Sequence, residues 1–226
     1  MASLRLLMTT AAGVPVWGFP AGDDGLLWWL RLRAQHAGTG LWPLLMPAAA
    51  PEELHPCPLD EAGLRFDGAA LLADRIASRL RIYGAHADTV RAELRGEGEW
   101  RARPEPPGFE VAHYDEVVVA LVPAAAPWQV PLVLRHGGWN GYPSPAEHAA
   151  ILRYFHARYG AELVAMTTDS AEFTVRHPPL DRPAALRLAM EYTVYNDGAY
   201  DNYFADTLTD LAVSLGGEPV WRVWWD

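Results

Sequence analysis

The stretch RHGGWNGYPSP, residues 135–145, has the composition of a ligand-binding loop. It follows an apolar run predicted to be a strand and leads into a predicted helix, and its adjacent glycines would let main-chain NH groups approach a bound molecule. The histidine beside them could act as a general base. The simpler interpretation is a structural turn, with the tryptophan folded over the core. The candidates for small-molecule contact are His136, Gly137, Gly138, Trp139, Asn140 and Tyr142.

A second group of candidate residues is acidic and lies near the end of the chain. The segment NDGAYDNYFADTLTD brings four aspartates together, and residues 181–226 hold eight acidic side chains against three arginines. Their order does not match the calcium-loop pattern D-x-D-x-D-G. They could form a solvated helix face, or a surface on which a basic protein docks, since complementary charge accelerates association. The partner-binding candidates are Asp197, Asp201, Asp206 and Asp210.

The remaining side chains fit no catalytic or metal-binding pattern. The histidines include no H-x-x-x-H or H-E-x-x-H pair, so the sequence predicts neither a metal nor a cofactor. The 135–145 loop lacks the Lys-Ser/Thr of a phosphate loop and the G-x-G-x-x-G spacing of a dinucleotide site. A G-x-S-x-G elbow is missing, and Cys57, between two prolines, is a weak candidate for a nucleophile. No catalytic residue is therefore assigned, and enzyme activity stays open.

The charge and the apolar content of the chain indicate which classes of protein it can belong to. The chain has 28 acidic and 18 basic residues, and its net charge of −10 argues against nucleic-acid binding, which depends on neutralising phosphates. Half of its 226 residues are apolar, including ten tryptophans, which is typical of a folded protein with a sizeable core. The single cysteine fits a reducing compartment, the first residues make a poor signal peptide, and no apolar run is long enough to cross a bilayer. We expect a cytoplasmic protein without membrane contact.

Periodicity predicts the elements of the N-terminal half. Short strands are expected at 4–8, 14–19 and 39–47, and helices at 23–38 and 67–84, the second capped by Asp67 and ended by Gly84. Glycines, prolines and mixed charges at 95–108 lack any period and indicate a linker or long surface loop. The chain is thus divided into an α/β N-terminal region, 1–94, a linker, 95–108, and a C-terminal α+β domain, 109–226. Whether the two halves are separate domains is left open.

The hydrophobic pattern of the second half of the chain predicts its helices and strands more clearly. EVVVALVP and VPLVLRH are dense in aliphatic residues and are predicted to be strands. Ser144, Pro145 and Glu147 form a capping box for a helix that stops at Gly160. Two strands joined at Thr168-Asp169 follow, then helices over 182–195 and 200–217, the latter with Phe204 turned inward, and a final strand, PVWRVWWD. The order predicts an α+β fold, a ferredoxin-like β-α-β-β-α-β antiparallel sheet with its helices on one face, preceded by the smaller N-terminal α/β region.

Several closing segments resemble a known family. These segments are PLVLRHGGWN before a helix that starts with PSP, then RYGAELVAMTTDSAEFTV, PP at 178–179 and a terminal WRVWWD. Together they are similar to the domain of unknown function 4253, over roughly residues 115–226. TGLWPLLMP is similar to a segment that often precedes that domain. The resemblance implies a bacterial, mainly actinobacterial, source and brings no activity with it. The chain has Tyr195-Asn196-Asp197 where the family pattern has a cysteine and a proline, so no role tied to that cysteine is carried over.

Two functions of different classes follow from these observations. The first is a non-catalytic protein that binds a basic protein partner, for example by neutralising a toxin or nuclease; it is favoured by the acidic C-terminal region and the aromatic excess. The second is a small-molecule-binding domain or enzyme that uses a cleft around residues 136–142. The sequence favours the first slightly.

Overall fold

The structure, a computed structural model, describes residues 3–54, 57–59, 63–84, 86–101, 108–139, 141–196 and 198–225. Within these residues seven strands form one sheet. The strands are β1 (Arg5–Thr9), β2 (Pro15–Pro20), β3 (Leu41–Pro47), β4 (Val117–Pro123), β5 (Ala161–Met166), β6 (Ser170–Val175) and β7 (Val220–Trp224).

The strand order in the sheet is β1-β2-β4-β3-β5-β6-β7. Neighbouring strands are antiparallel except β3 and β5, which are parallel and share the single bridge Leu45–Ala165. Two side chains reinforce this short seam: the Trp42 indole donates to the Leu163 carbonyl (2.9 Å), and Arg33 forms a bidentate ion pair with Glu162. β4 lies between β2 and β3, so strands from both sides of the 95–108 segment belong to the same sheet.

The helices cover this sheet and carry the candidate residues. Their bounds are α1 (Gly25–Thr39), α2 (Ala50–Glu53), α3 (Gly68–Ile82), α4 (His86–Leu94), α5 (Val130–Leu134), α6 (Pro145–Tyr159), α7 (Arg182–Tyr195), α8 (Ala199–Asn202) and α9 (Leu208–Leu215). No helix in the described ranges combines the length and the apolar character that crossing a membrane requires.

Local signals set the ends of the best-predicted helices. The Ser144 side chain accepts from the Glu147 backbone NH while the Glu147 carboxylate accepts from the Ser144 NH, which is the predicted capping box of α6. Gly160 ends the same helix in the left-handed conformation. Asp67 caps α3 through the NH groups of Ala69 and Ala70, as expected.

The α+β class is confirmed and the sheet is mostly antiparallel, but the ferredoxin-like order is not confirmed. The segment VPLVLRH, which that order needs as its first strand, forms helix α5, with Pro131 in the first turn, where a proline costs no hydrogen bond. The helices are not confined to one face either. Successive side chains of β3 and β5 point to opposite faces, and nearly all of them are buried, so the central sheet is covered on both sides.

The long helix predicted over residues 200–217 is in fact two helices, α8 and α9. The break lies between Asn202 and Leu208, and the expected inward position of Phe204 is wrong: its side chain is 96% exposed. Asp206 precedes α9 rather than sharing a helix face with Asp210.

The tryptophans of the last strand are mainly core residues. Trp221 and Trp225 are fully buried, and Trp224 is half-buried. Side chains also bond to the backbone along β7: the Tyr203 hydroxyl accepts from the Arg222 NH (2.9 Å), and the Asn196 side-chain oxygen accepts from the Trp224 NH (3.3 Å). These bonds satisfy backbone donors of a terminal strand that would otherwise be free to pair with another chain.

Candidate functional site

The backbone of the 135–145 loop is held in left-handed conformations. Arg135 has φ 52°, Gly137 129° and Gly138 78°. The Gly138 NH donates to the carbonyls of Tyr142 (3.2 Å) and Pro143 (2.9 Å), which closes the turn. A Cβ on Gly138 would lie 2.5 Å from the Cys57 sulfur. The double glycine is therefore required by backbone geometry and by close packing against the segment that contains Cys57.

Candidate side chains of the loop lie in the core. His136 is fully buried and Tyr142 is 4% exposed, with ring centroids 4.9 Å apart. Trp139 is half-buried and stacks over Tyr142, with ring planes 15° apart. Gly137 and Gly138 shape the turn beneath them, and Asn140 lies outside the described residues. The structure therefore brings these residues together as packing around a turn rather than as the wall of an open cleft.

The loop closes over an aromatic cluster made of His136, Tyr142, His148, Tyr195 and Trp225. The ring centroid of Trp225 lies 4.1 Å from that of Tyr142 and 5.1 Å from that of His148. The Trp225 indole NH donates to the Tyr195 carbonyl (2.9 Å). His148 Nδ1 and the Tyr195 hydroxyl share a hydrogen bond of 2.7 Å. The cluster joins the loop, α6, α7 and the end of β7, so its first role is to lock these elements together.

Burial dominates the electrostatics of the aromatic cluster. Desolvation, followed by the neighbouring His136, holds the pKa of His148 well below its ordinary value, so the ring is neutral at pH 7. Burial likewise raises the pKa of Tyr142 and Tyr195 far above 10, which keeps both hydroxyls protonated. The Tyr142 hydroxyl and His148 Nε2 have no hydrogen-bond partner among the described residues. His148, Tyr142 and Tyr195 are thus uncharged at neutral pH.

A cavity of about 400 Å³ opens beside this cluster, between α3, α7 and Gly141. Arg75 projects into it from α3 and is held by an ion pair with Glu147 (2.5 Å) and a bond to the Val194 carbonyl (3.4 Å). The cavity is the part of the 136–142 region that a small molecule could enter. Its polar and charged lining comes from Asp74, Arg75, Ser78, Arg79 and Tyr195.

Two of the four acidic candidates, Asp206 and Asp210, line a groove that forms where α4 and the segment after it meet the start of α9. This acidic groove has a volume of about 360 Å³. Asp206 and Asp210 are two of the five carboxylates that line it, and Arg101 is the cation among the lining residues that are described. The other three carboxylates are those of Glu93, Glu97 and Glu99.

Contacts made by Thr209 hold the two walls of the acidic groove together. The Glu93 carboxylate accepts from the Thr209 backbone NH (2.8 Å) and from its hydroxyl (3.2 Å). A Cβ on Gly98 would overlap the Thr209 hydroxyl, so only glycine allows residues 97–99 to lie this close to α9. The residues just after α4, predicted to be linker, therefore form a wall of the groove.

The glutamates on this wall are ionised at neutral pH. Glu97 pairs with Arg95 (2.7 Å) and Glu99 with Arg101 (2.9 Å), and each hydrogen bond lowers the pKa of its carboxyl group. The pKa of Arg101 is raised by Glu99 first and also by Asp210 and Asp206. All these groups are close to solvent, and the carboxylates outnumber the guanidinium groups. A negative field at the groove follows.

The four predicted aspartates have different surroundings. Asp206 is exposed, and Asp210 accepts from the Thr207 hydroxyl (2.7 Å) while Thr207 caps α9 by accepting from the Asp210 NH (3.1 Å). Asp201 is exposed on α8 and is not among the residues that line the groove, and Asp197 lies outside the described residues. Sequence reasoning missed the three glutamates of α4 and its following segment; their density at 93–99 was the available signal.

One buried acid outside both regions has an unusual protonation equilibrium. Glu172 on β6 accepts from the backbone NH groups of Glu110 (2.6 Å) and Val111 (3.2 Å), the first residues of a 3-10 helix. Burial raises its pKa to about 7, although these two bonds oppose the shift. Arg222 forms an ion pair with Glu110 beside it. Glu172 ties the 3-10 helix to the sheet.

Within the described residues, no group of three or more His, Cys, Asp or Glu side chains is placed to hold a metal ion. No curated protein and no solved structure matches the chain. A family model described as Domain of unknown function (DUF4253) matches residues 118–226, close to the range over which the sequence resembled it. The C-terminal part of the chain, from β4 to β7, is thus similar to the DUF4253 family.

Proposed function

We propose that this protein is a non-catalytic binding protein that captures a basic segment of a partner protein in the acidic groove. The observation that carries the proposal is the set of five carboxylates around one cavity at the surface. A basic protein such as a toxin or nuclease has the complementary charge, and capture would neutralise it.

The charges of the acidic groove are complementary to an extended basic segment of a partner protein. Glu97, Glu99 and Asp206 are exposed, so an arginine or lysine of a partner can reach them without burying an unpaired charge. Guanidinium groups bind carboxylates through paired hydrogen bonds, which gives orientation as well as attraction. The net charge of −10 adds long-range attraction for the same class of partner.

The proposal is tested by removing charge inside and outside the groove in equal amounts. The groove variant is Glu97→Gln, Glu99→Gln, Asp206→Asn. The control variant is Asp23→Asn, Asp24→Asn, Asp115→Asn, which removes three exposed carboxylates elsewhere. The probe is a fluorescent peptide that alternates arginine with glycine, and its Kd is measured by anisotropy at low and at physiological salt.

We expect the groove variant to weaken peptide binding by about tenfold, or ~1.4 kcal/mol, and the control variant by about twofold at most. Added salt should reduce the difference, because exposed charges are screened. Equal weakening by the two variants would mean that the peptide responds only to net charge, and the groove would lose its assigned role.

A second candidate function is binding of a small molecule at the 136–142 region. The observation that favours it is the cavity beside Gly141, where Arg75 and Ser78 offer donors to an anionic group. Arg75→Met would test it with small dicarboxylates as probes in isothermal titration calorimetry. Heat that is present in the wild type and lost in the variant would support this function; a flat titration in both would remove it.

A further inference from the structure

Phe204 is the most exposed large apolar side chain in the described part of the chain, at 96%. It lies in the break between α8 and α9 with φ 47°, in the left-handed region that bulky side chains avoid. Burying an aromatic ring is a main source of stability, and this position gains none from it. A conformation that is both unfavourable and solvent-exposed is typical of a functional position.

The backbone holds Phe204 outward rather than leaving it loose. Its neighbours Tyr203 and Ala205 are both buried, at 2% and 9% exposed. The Phe204 NH donates to the Asp201 carbonyl (3.2 Å), and the Ala205 NH donates to the Tyr200 carbonyl (2.9 Å). The Tyr203 hydroxyl is in turn bonded to β7. The ring is therefore presented on a fixed support, which reduces the entropy that a binding partner must remove.

The residues around Phe204 indicate which kind of partner segment covers its ring. Residues 199–210 contain three aspartates and no basic residue. Asp201 and Asp206 are exposed on either side of Phe204, and Asp206 is within about 7 Å of it along the chain. Asp206 also lines the acidic groove, so Phe204 lies two residues along the chain from a residue of that groove. An apolar residue ringed by charge is the usual anatomy of an interaction hot spot.

We infer that Phe204 is the apolar anchor of the docking surface, and that its partner is a protein segment that combines aliphatic side chains with arginine or lysine. The aliphatic groups cover the Phe204 ring while the cations meet Asp201, Asp206 and the acidic groove. This inference rests on the proposed function and adds an apolar requirement to it. Charge alone would then be an incomplete description of the partner.

The test compares two synthetic peptides of equal length and charge, one alternating arginine with glycine and the other arginine with leucine. Each is titrated against the wild type, Phe204→Ser, the groove variant and Leu30→Ser, the last being a control that removes another exposed apolar side chain, on α1. Circular dichroism and thermal unfolding confirm that each variant is folded. Serine remains compatible with the backbone NH bonds, so the loop keeps its anchors.

We expect the wild type to bind the arginine–leucine peptide about tenfold more tightly than the arginine–glycine peptide. Phe204→Ser should bring the two within about twofold, and Leu30→Ser should leave the preference intact. The groove variant should weaken both peptides alike. A preference that survives Phe204→Ser, or none in the wild type, overturns the anchor while leaving the groove in place. Failure of both peptides to bind the wild type overturns the anchor and the proposed function together.

Discussion

The hydroxyl of Tyr195 on α7 lies 2.7 Å from Nδ1 of His148 on α6, in the interior of the protein. The bond joins two helices beneath the 135–145 loop, and both side chains are almost completely excluded from solvent. A buried histidine in this position is neutral in the folded protein, whereas in the unfolded chain it titrates near pH ~6.5. The burial of His148 therefore makes folding stability depend on pH.

Acidification should therefore destabilise the protein through His148. Its folded pKa is depressed, so the stabilising contribution is present above the unfolded pKa and is lost as the pH falls towards the folded pKa. We expect a loss of up to ~1.4 kcal/mol per pH unit below about 6.5 from this group. Urea unfolding of the wild type and His148→Asn between pH 7.5 and 5.5 measures it. Tyr195→Phe is the control and should keep the slope, because desolvation is the largest cause. Parallel pH profiles of the wild type and His148→Asn would contradict the assignment.

Glu172 should destabilise the folded protein as the pH rises, which is opposite to the effect of His148. Its folded pKa of about 7 exceeds the unfolded value, so its contribution is most favourable below pH ~4.5 and is lost as the pH rises through 7. Glu172→Gln removes that loss. The stability of the variant relative to the wild type should rise by up to ~3 kcal/mol between pH 5 and 8. Glu116→Gln, at an exposed position, controls for the loss of one charge. A difference that is constant with pH would refute the prediction.

The loop glycine should be important for folding whether or not a ligand binds nearby. Gly138→Ala introduces left-handed strain and a contact with Cys57. Gly96→Ala introduces similar strain, at φ 86°, where a Cβ would meet open space. We expect Gly96→Ala to cost about 1 kcal/mol and Gly138→Ala about 2–4 kcal/mol in urea unfolding. Adding Cys57→Ala to Gly138→Ala should recover part of the difference. Equal costs at the two glycines would show that the contact with Cys57 is unimportant.

The aspartates around α8 and the start of α9 should contribute to association and little to folding. Changing Asp201, Asp206 and Asp210 to asparagine should alter the free energy of unfolding by less than about 1 kcal/mol, because asparagine can replace Asp210 as acceptor for Thr207. Thr207→Ala, which removes the cap of α9, should by itself cost about 1 kcal/mol. Chemical denaturation compares the two. A triple variant less stable than Thr207→Ala would show that the carboxylates support the fold.

The sequence by itself determined the elements whose signals are local. Ser144, Pro145 and Glu147 act within one turn of backbone, and Gly160 ends the helix by its own conformational freedom, so α6 has the predicted bounds. The family resemblance was also confirmed, because it depends on an ordered set of short segments. Local hydrogen bonding and glycine geometry require no knowledge of distant residues.

Tertiary packing decided the features that local sequence signals do not set. Residues 130–134 are apolar enough for a strand or a buried helix, and their neighbours in space made them α5. Phe204 was expected inward because the pattern fits one continuous helix, whereas the bonds that hold Tyr203 and Ala205 break that helix and turn the ring to solvent. The acidic groove joins Glu93 to Thr209, residues 116 positions apart. Such contacts come from chain folding over long sequence separations, which periodicity and composition along the chain do not encode.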